Sequence, residues 1–182
     1  MKQWVKIICG LFLFVFLTGC AIYGVAVDER NVKTIAADGK IKASIVSGFV
    51  GDDLVKILYI STYCYSGHVY LIGEYDQETQ RDRVVTIAKG IKGVRSVTPY
   101  LLAKRKGDLC GMTDNLSVLT KVKAKLIGDK TIHSTNIDVE VVQCQVVLLG
   151  IVETRNEIEK AVTHAGAVEG VRKVKSFLKA VR

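Results

Sequence analysis

Three histidines, a few aspartates and three internal cysteines are the side chains here with the means for acid/base, metal or thiol chemistry. His68, His133 and His164 fall at a strand start, on a strand and on a helix of the pattern set out below. His164 aligns with Ile87 in an internal repeat, so it reads as a helix-side packing residue and not as a base. Asp52-Asp53 and Asp129 each follow a helix. Paired carboxylates would do general acid/base work, but aspartates after a helix are commonly turn residues. No nucleophile–base–orienter set is visible along the chain, although distant residues can converge in a fold. Cys64, Cys110 and Cys144 show no CxxC and no Cys/His metal spacing. One disulfide plus a free thiol fits them, and so do three unpaired thiols. No glycine-rich phosphate loop follows a strand. The sequence therefore argues against an enzyme, a metal centre or a cofactor, with thiol chemistry at Cys110 or Cys144 the one catalytic reading left.

Those residues must be positioned by a duplicated unit. Residues 39–105 recur without a gap as residues 116–182. Gly51-Asp52 returns as Gly128-Asp129, Val69-x-Leu71-x-Gly73 as Val146-x-Leu148-x-Gly150, and Gly93-Val94-Arg95-x-Val97 as Gly170-Val171-Arg172-x-Val174. A period of this length is one small domain per copy, not a solenoid repeat. Tandem modules are more often binders than enzymes, because a second weak site multiplies avidity. Each copy is of marginal size for a lone core, so the modules are expected to pack on each other or on a partner.

Within each copy the apolar spacing gives the elements. Ile41, Ile45 and Phe49 stand at helical spacing, with Gly48 and Gly51 as stops. Residues 55–63 and 68–75 read as strands around a turn at 64–67. Asp76 is placed to cap a helix carrying Val84, Ile87, Ala88 and Ile91, and residues 94–104 form a third strand. Pro99 sits inside it, which predicts an edge strand. Module two repeats the order: a helix with Val118, Val122 and Leu126, strands over 132–142 and 145–152, a helix behind a Thr154-x-x-Glu157 capping box, and a last strand over 171–181. The predicted class is α+β: two αββαβ modules, each a three-stranded mixed sheet covered by two helices on one face. Gly93 and Gly170 are expected just past a helix end with positive φ. Gly73 and Gly150 are expected to let a helix pass close. These four are fold residues, not a site.

Lys2 and Lys6 precede an almost wholly apolar run over residues 7–17, which is too short to span a bilayer and reads as an export signal. It ends in Leu17-Thr18-Gly19-Cys20, which resembles the bacterial lipobox, implying cleavage before Cys20 and a lipid on its thiol. Ala21 in place of Asp resembles outer-membrane sorting. The expected organisation is a signal peptide over 1–19, a tether over 20–37, module one over 38–104, a linker over 105–115 and module two over 116–182. Without Lys2 and Lys6 the net charge of +8 becomes +6. Inside an envelope such a balance favours anionic lipid headgroups and not nucleic acid.

Gly67-His68-Val69-Tyr70-Leu71-Ile72-Gly73 with Gly93-Val94-x-x-Val97 resembles the BON domain. The second copy, Cys144-x-Val146-x-Leu148-x-Gly150 with Gly170-Val171-x-x-Val174, lacks the first glycine, so its hairpin turn is expected to differ. Two such copies behind a lipobox resemble the dual BON-domain outer-membrane lipoproteins. That resemblance implies a lipid-anchored protein on the periplasmic face of the outer membrane that binds anionic phospholipid and supports envelope integrity. The alternative is an envelope scaffold docking onto a membrane-protein complex, with lipid contact incidental. The candidate lipid-binding residues are Leu116 and Leu119, at the start of the first helix of module two, and Lys121, Lys123 and Lys125 along it. Module one offers only Lys40 and Lys42 there. Lys173, Lys175 and Lys179, opposite Val174 and Leu178 on the last strand, form a rival patch.

Overall fold

The computed structural model describes residues 30–55, 60–108 and 110–182. The export segment, Cys20 and the tether as far as residue 29 lie outside the described residues. So do residues 56–59, the first half of the strand expected over 55–63.

Asn31 starts the first helix, α1 (Val32–Val50): its side-chain oxygen accepts the Thr34 backbone N–H at 2.9 Å. The helix thus begins ahead of Asp38 and buries Ile41, Ile45 and Phe49. It also runs through Gly48, where the sequence places a stop. A Cβ there would lie 2.7 Å from Ile87 Cγ2 on the second helix, so this glycine marks a close helix crossing. β1 (Ile60–Tyr65) and β2 (His68–Tyr75) form an antiparallel hairpin, α2 (Glu78–Gly90) crosses over, and β3 (Ser96–Ala103) returns parallel to β2. Asp76 does not cap α2; its N–H instead donates to Gln80 Oε1, 3.1 Å away. Pro99 lies on β3, an edge strand, as the sequence predicts.

Module two repeats this order with α3 (Met112–Gly128), a short 3-10 turn (Ser134–Asn136), β4 (Ile137–Val142), β5 (Gln145–Val152), α4 (Arg155–Gly166) and β6 (Lys173–Ala180). Both sheets are mixed, with orders β1-β2-β3 and β4-β5-β6. This is the α+β, twice-αββαβ architecture expected from the sequence. β4 starts five residues later than expected because Ile132 to Asn136 turn first, although Ile132 is still buried.

Each sheet has one face against its helices. Ile45, Val69, Leu71 and Val84 are fully buried in module one, and Val122, Val146, Leu148 and Ala161 in module two. The other faces pack on each other. Tyr65, Tyr70 and Ile72 from one sheet and Val142, Val147 and Leu149 from the other make a third apolar cluster. All three clusters are built from residues between Ile41 and Leu178.

The glycine expectations hold in part. A Cβ on Gly150 would sit 2.0 Å from the Asn136 carbonyl oxygen, so the chain passing close is the lead-in to β4 and not a helix. Its φ of 140° is also glycine territory. Gly73 holds the equivalent place opposite Ile60 in β1, as Gly150 does opposite Ile137. Gly93 and Gly170 have positive φ, but as the third residue of type II turns closed by Val94 N to Ile91 O and Val171 N to Val168 O, both 3.2 Å.

The two hairpins do not differ. Ser66 and Gly67 have φ of 51° and 78°; Gln143 and Cys144 have 50° and 56°. Both are two-residue type I′ turns. Cys144 tolerates the conformation because its N–H donates to Asn115 Oδ1 at 2.9 Å and its sulfur is bonded to Cys110.

Candidate functional site

α3 sets the geometry of the candidate surface. Val118, Val122 and Leu126 face the sheet and are buried. At 100° per residue, Lys123 projects from one flank, in line with Met112, Leu116 and Ile127. Those three apolar side chains are 83%, 61% and 70% exposed. Lys121 and Lys125 project from the opposite flank. Lys125 Nζ caps the Ala167 carbonyl at 3.2 Å, near the end of α4. Lys121 borders an open cleft of about 380 Å³ that also contains Asp114 and Glu169. The three lysines therefore do not form one patch. Lys123 alone is interleaved with exposed apolar residues, and Leu119 beside them is half-buried.

Met112 and Ile127 were not among the candidates. Their signal in the sequence is the four-residue spacing to Leu116 and Lys123, which becomes legible once the flank facing water is known. Met112, Leu116 and Leu119 also line an open groove of about 260 Å³ at the seam with module one, beside Ile72, Val141 and Val142.

The rival lysines sit on edge strand β6. Val174 and Leu178 pack into the helix-side core, and Lys173, Lys175 and Lys179 project from the other face with Phe177. Lys175 Nζ lies 5.1 Å from the Phe177 ring centroid. Lysines on an exposed edge also block strand-to-strand association.

The polar residues with chemical potential are spent on structure. Asp129 Oδ2 is 2.9 Å from His164 Nε2, and its Oδ1 accepts from the Thr131 hydroxyl at 2.6 Å. Those bonds, Thr131 first, hold the Asp129 carboxyl well below the usual carboxylate range. The carboxylate stands between the hydroxyl and the imidazole, so no base takes the Thr131 proton, and the trio is not a nucleophilic relay. His164 is thus bonded to Asp129, not merely packed. The module-one counterpart is Asp52, which accepts from Arg83 Nε at 2.6 Å and is lowered for that reason. Both aspartates also accept a backbone N–H two residues on, Asp52 from Leu54 and Asp129 from Thr131, which bears out the turn-residue reading. His133 Nδ1 lies 3.2 Å from the buried Glu157, whose Oε1 takes the His133 N–H at 2.6 Å. Thr154 caps α4 by accepting the Glu157 N–H, while Glu157 reaches the Glu153 N–H and not Thr154's own.

Of the two cysteine readings, the pair plus a free thiol is the one found. Cys110 and Cys144 are bonded with Cα atoms 5.8 Å apart, and Cys64 is free and buried. Burial first, then Asp38, pushes the Cys64 thiol up to about 12, away from reactivity. Cys110 and Cys144 therefore serve as a cross-link. Asp38, buried on α1, accepts the N–H groups of Ser66 and Gly67 at 2.7 and 2.8 Å, and Arg30 pairs with it at 2.7 Å. Asn115 accepts one N–H of the module-two hairpin, that of Cys144, at 2.9 Å. A first-helix side chain thus clamps the hairpin turn in each copy.

The BON domain, as a sequence family, matches residues 37–104 and again residues 115–182. The osmotically-inducible protein Y of Escherichia coli (strain K12) is 29% identical over 187 residues, covering 92% of this chain and 93% of that protein. The outer membrane lipoprotein DolP of Haemophilus influenzae is 28% identical over 170 residues, covering 88% of each. A solved structure of the C-terminal domain of CdsD, the structural protein of the type III secretion system of Chlamydia trachomatis, covers 77% of this chain and 96% of its own at 12% identity. Its TM-score of 0.34 is too low to carry an argument. The two family matches each lie over one αββαβ module, so this chain belongs to the BON-domain family, with two of its domains in tandem.

Proposed function

We propose that this chain is a non-catalytic, lipid-anchored envelope protein that binds anionic phospholipid at the periplasmic face of the outer membrane and supports the integrity of that membrane. The observation that carries the reading is the outward flank of α3, where exposed Met112, Leu116 and Ile127 surround Lys123. A helix with apolar side chains in water and a cation among them suits an anionic interface. Leu17-Thr18-Gly19-Cys20 and the similarity to an outer membrane lipoprotein support the location. Lipidation at Cys20 is tested by Cys20→Ser in the full chain, which should either stall processing or release the protein from membranes; normal processing and fractionation would end that part.

The lipid reading is tested by floating residues 30–182 with vesicles of neutral phospholipid and of neutral plus anionic phospholipid. Binding should require the anionic lipid and weaken with salt, since screening acts beyond about 10 Å at 0.1 M. Of the α3 lysines, Lys123→Gln should weaken it most. Binding that ignores salt would favour docking onto an envelope protein.

A further inference from the structure

The segment between the modules is not a slack linker. Where β3 ends, the Ala103 carbonyl accepts from Gln143 Nε2 at 2.9 Å. Further on, Asp108 pairs with Arg172 at 2.7 Å. Cys110 is then bonded to Cys144. All three fastenings lie at one end of module two, because the Arg172 N–H donates to the Cys144 carbonyl at 2.8 Å. Residues 104–107 are therefore an arch held at one end by Ala103 and at the other by Asp108 and Cys110.

The arch carries Lys104, Arg105 and Lys106, all exposed, and Arg172-Lys173 lies beside it at the start of β6. Asp108 takes up Arg172, and Lys104 lies 3.7 Å from Asp76. Arg105 also lies within reach of the Asp108 charge, whereas among the described residues Lys106 and Lys173 have no carboxylate partner. The arch leads directly into Met112 and Leu116, the exposed apolar start of α3. Cations alone would suit any polyanion; cations running into exposed apolar side chains suit a bilayer surface.

We propose that the fastened arch, through Arg105, Lys106 and Lys173, is a second contact site for an anionic phospholipid bilayer, set in place by the Cys110–Cys144 bond. This rests on the membrane reading above and extends the contact beyond α3 to the junction of the modules. A slack basic linker loses chain freedom when it binds; this one has already lost it, so more of its attraction appears as affinity.

The test floats residues 30–182 with the same two kinds of vesicle. The triple variant R105Q/K106Q/K173Q should lose binding by on the order of a hundredfold at low salt, each cation near the surface contributing a severalfold factor. Its melting temperature should stay that of the parent. Asp108→Asn separates fastening from charge: it removes one negative charge and frees Arg172, so charge counting alone requires tighter binding, whereas a loosened arch binds more weakly. C110S/C144S keeps every charge and should bind several times more weakly than the parent. If that variant does not fold, Asp108→Asn decides alone.

A parent protein that ignores anionic vesicles removes the membrane reading itself. A parent that binds, with the triple variant binding equally, removes only the arch. Tighter binding by Asp108→Asn removes the fastening. Full displacement by soluble polyphosphate would make the ligand a free polyanion and overturn the bilayer assignment.

Discussion

Tyr63 and Glu140 hold the same place in their respective modules, and the phenol of one donates to the carboxylate of the other at 2.7 Å. Tyr100 and Phe177 are a second equivalent pair, with ring centroids 6.3 Å apart. When equivalent residues touch each other, the copies are related by a two-fold axis, the isologous arrangement of a symmetric dimer, here inside one chain. The chemistry along that axis is no longer symmetric. Tyr65 donates to Asp138, whereas the positions that mirror them hold Val142 and Ser61.

That seam predicts alkaline sensitivity. Burial, then the carboxylates Glu140 and Asp138, pushes the phenols of Tyr63 and Tyr65 far above their ordinary value of 10.0. The folded state holds these protons more tightly than the unfolded state. Their contribution is fully present below about pH 10 and is lost as pH rises above it. Melting followed by circular dichroism should fall more steeply above about pH 10 in the parent than in Y63F/Y65F. At neutral pH Tyr63→Phe alone should cost about 1–2 kcal/mol, since it strips a half-buried Glu140 of its donor. Parallel slopes for parent and variant would remove the seam as the cause.

Asp38 should be far less replaceable than its counterpart Asn115. It accepts two hairpin N–H groups and the Arg30 guanidinium, whereas Asn115 accepts the Cys144 N–H of a hairpin that also has a disulfide. Asp38→Ala leaves the Ser66 and Gly67 N–H groups without their acceptor and takes the carboxylate from Arg30, which keeps its bond to the Cys64 carbonyl, at a cost of about 2–4 kcal/mol. Asn115→Ala should cost about 1–2 kcal/mol. Equal losses in urea midpoints for the two variants would refute the difference.

Glycines give a prediction with two signs. Gly150→Ala drives a Cβ into the Asn136 carbonyl and should cost more than about 3 kcal/mol. Gly39 lies within α1 with nothing within 4 Å of its absent Cβ, so Gly39→Ala should stabilise by roughly 0.5–1 kcal/mol. Thermal melts of the two variants should move in opposite directions.

Much of this architecture is legible in the residues. The ungapped repeat, the four-residue apolar spacing and the Val-x-Leu-x-Gly alternation give the order of elements, and Pro99 gives an edge. The seam was written there too, in Tyr70 and Ile72 between Val69, Leu71 and Gly73. A strand buried on both faces reads as a continuous apolar run, and its alternate members are easily taken for solvent positions. The faces of α3 are harder. Lys121, Lys123 and Lys125 look like one patch in sequence, and only the direction of the buried stripe sends Lys123 one way and its neighbours the other. Positive φ at Cys144 is signalled only by its alignment with Gly67, and the fastenings that allow it come from Cys110 and Asn115, far along the chain.

The cysteines of residues 30–182 should behave as two classes. Cys64 is buried, and its thiol is pushed up to about 12, so at pH 8 almost no thiolate is present and reagent cannot reach it. A thiol titration of the native segment should therefore read close to zero. The same titration in denaturant should read one thiol, and after reduction three. Cys110 and Cys144 are 34 residues apart in sequence, for which the chain-entropy account gives about 4 kcal/mol of stabilisation. Reduction should lower the stability of module two by up to that amount and also release Cys144 from the bond that helps hold its left-handed turn. Module one meets that hairpin at the seam and through the Gln143 bonds to Glu74 and Ala103, so its helix-side core should respond less. Hydrogen exchange resolves the two: amides of β5 should lose more protection than those of β2 on reduction. Equal loss in both strands would mean that the modules unfold as one unit and that the cross-link acts on the whole pair.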